Sequence, residues 1–335
     1  MPHARLRAPA LRALVCLVLA ATLLAGCGGA AAPASPVTPA QAQRVVRAYF
    51  RARDALTSQP APGSFSAIES PPQSTFDNGY TQAAIALGTY QPSRVELEKL
   101  DVYVPGQSRY PLRFLSYARL RSGSTTSWGI NDFVKTSAGA RWTCDYANLL
   151  PEGADPPRLA VAGDGYLEGA PAGGRLAAPP ARFGARVAAF FDARAGGRPS
   201  SLTLSGNVDY LLGTFGLLQG LGNGSPYGPT TQRYSVPHRT LAYRLRSGGV
   251  LLLFQLAATM TATAPNGSCL KLGAPIPEDY QVPTTPFQAL AYQGQDTLIA
   301  TVERKGRTPQ VTLVPTQYDS FLVTGAHITN PCPTS

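Results

Sequence analysis

Two hydrophobic periods divide this chain. Between Thr38 and Leu56 the apolar residues Val45, Val46, Tyr49, Phe50 and Leu56 recur at helical spacing and give one apolar face. Thr38-Pro39-Ala40-Gln41 marks its start. The Thr38 hydroxyl can accept from first-turn amides, Pro39 needs no amide at the first helical position, and Gln41 can reach back to close a capping box. Arg44, Arg47, Arg51 and Arg53 fill much of the remaining circumference and read as a solvated face. Residues 57–75, rich in Pro, Ser and Gly, read as loop. From Arg94 the period changes to two. Segments 95–97, 100–104, 113–121, 128–135 and 141–149 alternate as strands between Pro-Gly, Ser-Gly and Ala-Gly turns. A helix followed by hairpin-linked strands predicts an antiparallel sheet folded around that helix. In the last strand Trp142, Cys144 and Tyr146 are expected on one face, with Trp142 packing inward against the helix.

Residues 151–180 are dense in Pro and Gly and read as a linker. Beyond it the pattern restarts. Arg186-Val187 with Phe190-Phe191 echoes Arg44-Val45 with Tyr49-Phe50, and Tyr243 to Gly248 echoes Tyr117 to Gly123. Two echoes in the same order suggest a duplication. The apolar, Gly-punctuated stretch 208–221 reads as a second helix or a buried loop. Strands follow at 234–246, 250–263, 287–292, 297–303, 311–314 and 320–323, with Gly248-Gly249 as a hairpin turn. The run 250–254 has no polar alternate, so both its faces should be buried. The predicted class is α+β, with two tandem domains, 38–150 and 181–335, each a helix packed on a mainly antiparallel curved sheet.

The N-terminus carries an address. Arg5, Arg7 and Arg12 accompany an apolar run of about a dozen residues, short of the ~20 that span a bilayer, and small residues follow. The quartet Leu24-Ala25-Gly26-Cys27 resembles the lipobox of bacterial lipoproteins. That resemblance implies that residues 1–26 are a cleaved signal peptide and that Cys27 receives a lipid on its sulfur. It implies a chain held on the extracytoplasmic side of the cell membrane. Residues 27–37, small and Pro-interrupted, then form a flexible tether. With its abundance of Ala, Gly, Pro and Arg, the chain resembles lipoproteins of high-GC Gram-positive bacteria. Its element order resembles the curved sheets of cystatin-like and nuclear-transport-factor-like domains.

Charge and cysteines refine this picture. The formal charge of +10 falls to near +7 once the leader's three arginines are removed. Such a surface suits anionic headgroups or acidic wall polymers, and the extracytoplasmic address argues against nucleic acid. Cys16 leaves with the leader and Cys27 is assigned to lipid, so Cys144, Cys269 and Cys332 remain. A Cys269–Cys332 bridge is expected, tying down the tail and stabilising by on the order of 3–4 kcal/mol. Cys144 reads as a buried thiol.

Catalytic signatures are missing from the sequence. There is no nucleophile elbow, no phosphate-cradling loop and no His-Glu-x-x-His, and no cysteine or histidine spacing suits a metal. His238 and His327 read as solvent-facing, as do Glu96 and Glu98 on one strand face, and Glu278 with Asp279 has no clearer role. The expected function is a non-catalytic binding or assembly module without cofactor or metal, recognising a cell-envelope protein, a lipid or a wall polymer. Its candidate pocket or interface residues are Trp142, Tyr146, Phe215 and Phe254. The alternative is a small-substrate hydrolase or isomerase with an acid–base pocket inside one curved sheet.

Overall fold

The first helix begins where its capping residues dictate. The computed structural model describes residues 37–169, 179–206, 208, 231–264, 267–269, 285–303, 310–316 and 322–332. Cys27, residues 27–36 of the tether, Phe215, and Glu278 with Asp279 lie outside them. Helix α1 spans Pro39–Ser58. Thr38 Oγ1 accepts from the Gln41 amide at 3.2 Å, and Gln41 Oε1 accepts from the Thr38 amide at 2.9 Å. Its buried face is Ala42, Val46, Tyr49 and Phe50. That face lies on an antiparallel sheet of β1 (Glu96–Tyr103), β2 (Leu112–Ser122), β3 (Thr125–Lys135) and β4 (Thr143–Leu149), in sequence order. Tyr49 meets Phe133 edge-on at 5.3 Å, and Phe133 stacks on Phe114 at 4.9 Å.

The second sheet is larger. Its strands are β5 (Thr203–Gly206), β6 (Thr231–Ser235), β7 (Leu241–Arg244), β8 (Val250–Thr263), β9 (Phe287–Glu303), β10 (Gln310–Val314) and β11 (Leu322–Pro331). The order is β5-β10-β9-β8-β6, with β7 also on β8 and β11 also on β9; among the described strands only β5 and β10 pair in parallel. Helix α3 (Pro180–Ala195) covers its outer face, packing Phe183, Val187 and Phe191 against Val250, Leu252, Phe254 and Leu256. The alternate residues Leu251 and Leu253 point the other way and join Leu115, Tyr117, Ile130 and Tyr146 of the first sheet. All five residues of 250–254 are fully buried, as the missing polar alternate predicts. The layers therefore run α1, first sheet, second sheet, α3: an α+β fold built on two antiparallel-rich sheets that share a core. Gly184 of α3 lets the helix approach the β6–β7 connection, since a Cβ there would overlap Thr240 Oγ1.

Several elements differ from the sequence reading. The strand expected at 234–246 is two strands, β6 and β7, which follow one another along β8. Pro237, with no amide to donate, sits in the break. The strands expected at 287–292 and 297–303 are one 17-residue strand, β9. Within 57–75 a 3-10 turn forms at Ser64–Ala67, and a second helix, α2, starts at Gln73 and runs to Ala86. Its buried positions are Gln73, Ser74, Thr81, Ala83 and Ala84, small or polar, so no apolar stripe announces it. Residues 151–169 are more than a spacer. The Ala160 amide donates to the Arg244 carbonyl (2.9 Å) and the Leu167 amide to that of Val104 (2.8 Å), which stitches the segment to both sheets.

A β-bulge corrects the expected face of β4. Asp132 pairs with Tyr146 but Phe133 pairs with Cys144, leaving Asp145 as the extra residue. Cys144 therefore faces the α1 layer with Phe133, whereas Tyr146 faces the second sheet. Two residues that strict alternation places together are separated by a layer of backbone. Trp142 reaches the helix layer through Phe114, whose ring it meets at 4.9 Å.

Candidate functional site

Position 53 of α1 falls on the inward stripe, four residues after Tyr49 and three after Phe50. Its guanidinium organises one wall of a cavity. Arg53 Nη1 donates to Glu69 Oε1 (2.6 Å), to Asp77 Oδ2 (2.5 Å) and to the Tyr49 hydroxyl (3.3 Å), and its charge lies 5.3 Å from the Phe65 ring centre. Tyr49 donates to Glu69 Oε1 at 2.9 Å. Gln73 Nε2 donates to Asp77 at 3.0 Å while its Oε1 accepts the Ala147 amide at 2.8 Å, so α2 is locked to the edge strand β4. The sequence reading placed Arg53 with the solvated arginines. Its spacing from Tyr49 was the signal that it belongs inside.

Burial and the neighbouring Asp77 charge push the Glu69 carboxyl up to about 9, against the pull of Arg53. Burial also acts to raise Asp77, but the Arg53 ion pair and its hydrogen bonds hold it below the usual carboxylate value. At neutral pH the cluster is thus Arg53⁺, Asp77⁻ and a protonated Glu69. A group that binds its proton more tightly when folded stabilises most below its unfolded value, and loses that contribution as pH rises toward 9. Glu69→Gln, which mimics the protonated acid, should therefore gain on wild type by about 2–3 kcal/mol between pH 6 and pH 8. Parallel urea titrations at the two pH values measure this. Equal differences would mean that Glu69 is ionised throughout.

The cavity encloses about 430 Å³ between α1, α2, the first sheet and the rim of the second. This lies within the ~300–1,000 Å³ of small-molecule sites. Aromatic rings from Tyr49, Phe50, Phe65, Phe76, Tyr80 and Tyr90 form much of its wall. Its polar lining includes Ser127 and Asn131 of β3, Asn148 of β4, and Thr297 of β9. Thr297 Oγ1 donates to Asn148 Oδ1 at 3.1 Å. The other Asn148 atom, Nδ2, and Ser127 Oγ are buried with no hydrogen-bond partner among the described residues. Buried polar atoms normally find partners; Ser127 lies on the helix face of β3, whereas Asn148 lies on the face of β4 that meets the second sheet.

A second, open groove of about 630 Å³ lies between α1 and the β1–β2 end of the first sheet, with Arg47, Arg51, Arg94 and Arg121 on its walls. Arg121 is engaged by Glu96 and Glu98, which do share a face as their spacing predicts. The groove is basic, but its side chains are solvated.

The residues singled out from sequence take other places. Tyr146 belongs to the core between the sheets and donates to the Arg239 carbonyl at 3.3 Å. Phe254 is core beneath α3, and Trp142 packs on Phe114; neither these two nor Tyr146 lines the 430 Å³ cavity. Cys269 and Cys332 form a disulfide with Cα atoms 5.9 Å apart, and Cys144 is a buried free thiol. His238 and His327 are exposed. Among the described residues no metal-binding cluster of His, Cys, Asp and Glu occurs, and no helix is long and apolar enough to cross a membrane.

A family model described as a domain of unknown function, DUF8094, matches residues 33–319. The chain belongs to this family. No curated protein and no solved structure matches it. The DUF8094 span includes every residue lining the 430 Å³ cavity, whereas Cys27 and Cys332 fall outside it.

Proposed function

We propose that this DUF8094 protein is a lipid-anchored, extracytoplasmic binding module, attached through Cys27 and without catalytic activity. The observation that carries the binding reading is the aromatic-walled cavity, in whose lining residues Ser127 Oγ and Asn148 Nδ2 are buried with no partner among the described residues. An unmet buried polar atom costs about 1–3 kcal/mol, and a ligand supplying the missing bonds recovers that cost. The Cys269–Cys332 disulfide supports an oxidising compartment, and the Leu24-Ala25-Gly26-Cys27 quartet supports the anchor. Partners in this reading are the membrane and one envelope component: a protein, a lipid or a wall polymer.

The test is crosslinking of the native protein in its own membrane, followed by mass spectrometry of the attached species and of the Cys27 peptide. A bound component together with a diacylglyceryl adduct on Cys27 supports the reading. An unmodified Cys27 removes the anchor, and a clean monomer with an empty cavity removes the binding role.

One observation favours the alternative of a hydrolase or isomerase. Glu69 and Asp77 converge on a single Arg53 nitrogen, and Asp77 lines the cavity. Paired acids of unequal proton affinity are the arrangement that acid–base catalysis uses. Against it, Arg53 neutralises Asp77, and Glu69 is not among the cavity's lining residues. Turnover of an acyl, glycosyl or phosphoryl substrate that is abolished in Asp77→Asn would reverse the choice.

A further inference from the structure

We infer that the open groove of about 630 Å³ binds an extended anionic polymer whose repeats carry phosphate or carboxylate groups. The inference applies the binding reading above to a second surface, and it rests on that reading for the extracytoplasmic setting of such polymers. Charge selects the ligand. Arg47 and Arg51 of α1 stand on one side, Arg94 and Arg121 at the β1–β2 end of the first sheet on the other. Arg121 is engaged by Glu96 and Glu98. Arg47, Arg51 and Arg94 are exposed and form no ion pair among the described residues, whereas Arg53 and Arg113 are each held by two carboxylates. Two acids also line the groove, and both are occupied: Asp54 Oδ1 accepts the Val95 amide at 3.2 Å, and Glu96 takes Arg121. Four arginines against two acids leave the walls with a net charge of +2.

Spacing selects a polymer over a single ion. Arg47 and Arg51 are one helical turn apart, about 6 Å along the axis, and exposed Arg44 continues the row to about 10 Å. Like charges at this spacing repel and weaken the helix. A chain with an anion at each repeat relieves the whole row, because every guanidinium fork can take an oxyanion through two N–H bonds. Shape agrees. The groove is recessed between two elements, so a planar bilayer would meet only its rims, whereas an extended chain lies along it. Phe50, buried, and Val95 and Leu97, half-buried, line it between the charges and suit the carbon segments that separate the anions. A Cβ at Gly123, in the turn after Arg121, would meet nothing within 4 Å, so that end is unobstructed.

The experiment uses the full chain purified from membranes in a zwitterionic detergent. Poly(glycerol phosphate), polygalacturonate and neutral dextran are titrated by calorimetry, and phosphatidylglycerol vesicles are tested by co-sedimentation. At least one polyanion should bind while dextran does not. Its affinity should fall as salt rises from about 0.1 to about 1 M, where the screening length shrinks from about 10 to about 3 Å. Arg47→Gln with Arg51→Gln should weaken binding by roughly tenfold or more, and Arg94→Gln, from the opposite wall, should also weaken it. Arg233→Gln with Arg246→Gln removes the same charge from exposed positions outside the groove and should leave binding unchanged. Equal weakening by the two double variants would assign the attraction to net charge and overturn the inference. Binding to vesicles in place of the polymers would make the groove a membrane contact and overturn it too. So would the absence of polyanion binding, and the two readings then separate. A component crosslinked at the 430 Å³ cavity in native membranes leaves the binding module standing, whereas neither result removes both.

Discussion

Arg113→Ala is expected to lower the unfolding free energy by about 3–5 kcal/mol, because it strands buried charge. Arg113 Nη1 donates to Asp132 Oδ1 and Nη2 to Asp145 Oδ2, both at 2.5 Å. The Asp132 side chain is fully buried and that of Asp145 is 9 % exposed. The network extends further: Tyr243 of β7 donates to Asp132, and Ser70, from the segment preceding α2, donates to Asp145. One guanidinium thus joins three strands of the first sheet to the second sheet and to the loop that caps β4. Burial already pushes Asp132 up to about 7 despite Arg113. Without the arginine it will hold its proton to still higher pH, so the deficit should be smaller at pH 5 than at pH 8. Thermal melts should show a drop on the order of 10 °C at pH 8. The matched control is Arg121→Ala, whose partners Glu96 and Glu98 are solvent-exposed and whose loss should cost no more than about 1 kcal/mol. Equal losses in the two variants would mean that the buried network contributes no more than a surface pair.

Much of the scaffold was legible because it is governed by local chemistry. The capping box at Thr38 and Gln41 starts α1 where its residues require. The unbroken run 250–254 is buried on both faces. The two echoed segments, 117–123 and 243–248, each close on a glycine with positive φ, Gly123 in the β2–β3 turn and Gly248 in the β7–β8 turn. The cavity was not legible, and the reasons are particular. Helix α2 buries Gln73, Ser74 and Thr81, so it lacks the stripe that periodicity detects. Asp145 forms a bulge that alternation cannot anticipate, and it sends Tyr146 away from Cys144. The polar lining is drawn from positions 73, 127, 148 and 297, on α2, β3, β4 and β9, which only the tertiary fold brings together. Large aromatics attract attention in a sequence, but here Tyr146 and Phe254 are the mortar between layers. The chemistry sits on small polar residues at strand positions that look ordinary.

Removing the disulfide, by Cys269→Ser with Cys332→Ser, should lower the unfolding free energy by about 3–4 kcal/mol, through the 63-residue loop it closes in the unfolded chain. The structure concentrates the effect. Strand β11 is held on β9 through the pairs from Leu322–Gln295 to Pro331–Phe287, and its far end lies beside the bridge. Gln288 gathers the local contacts: its Oε1 accepts from Asn330 Nδ2 at 2.7 Å, its Nε2 donates to the Gly267 carbonyl at 2.9 Å, and its carbonyl accepts the Ala264 amide at 2.7 Å. Three segments distant in sequence meet there, and the bridge spans the same junction. Amide exchange over 325–331 should accelerate before global unfolding does, since an edge strand is the first to open. Reductant supplies an internal check. Cys144 is free and buried, so mild reduction of wild type should act on Cys269–Cys332 and reproduce the urea midpoint of the double variant. A midpoint unmoved in both cases would show that β11 is held by its ladder alone. The disulfide would then lose its weight as an argument for an oxidising compartment, leaving the extracytoplasmic reading on the lipobox quartet.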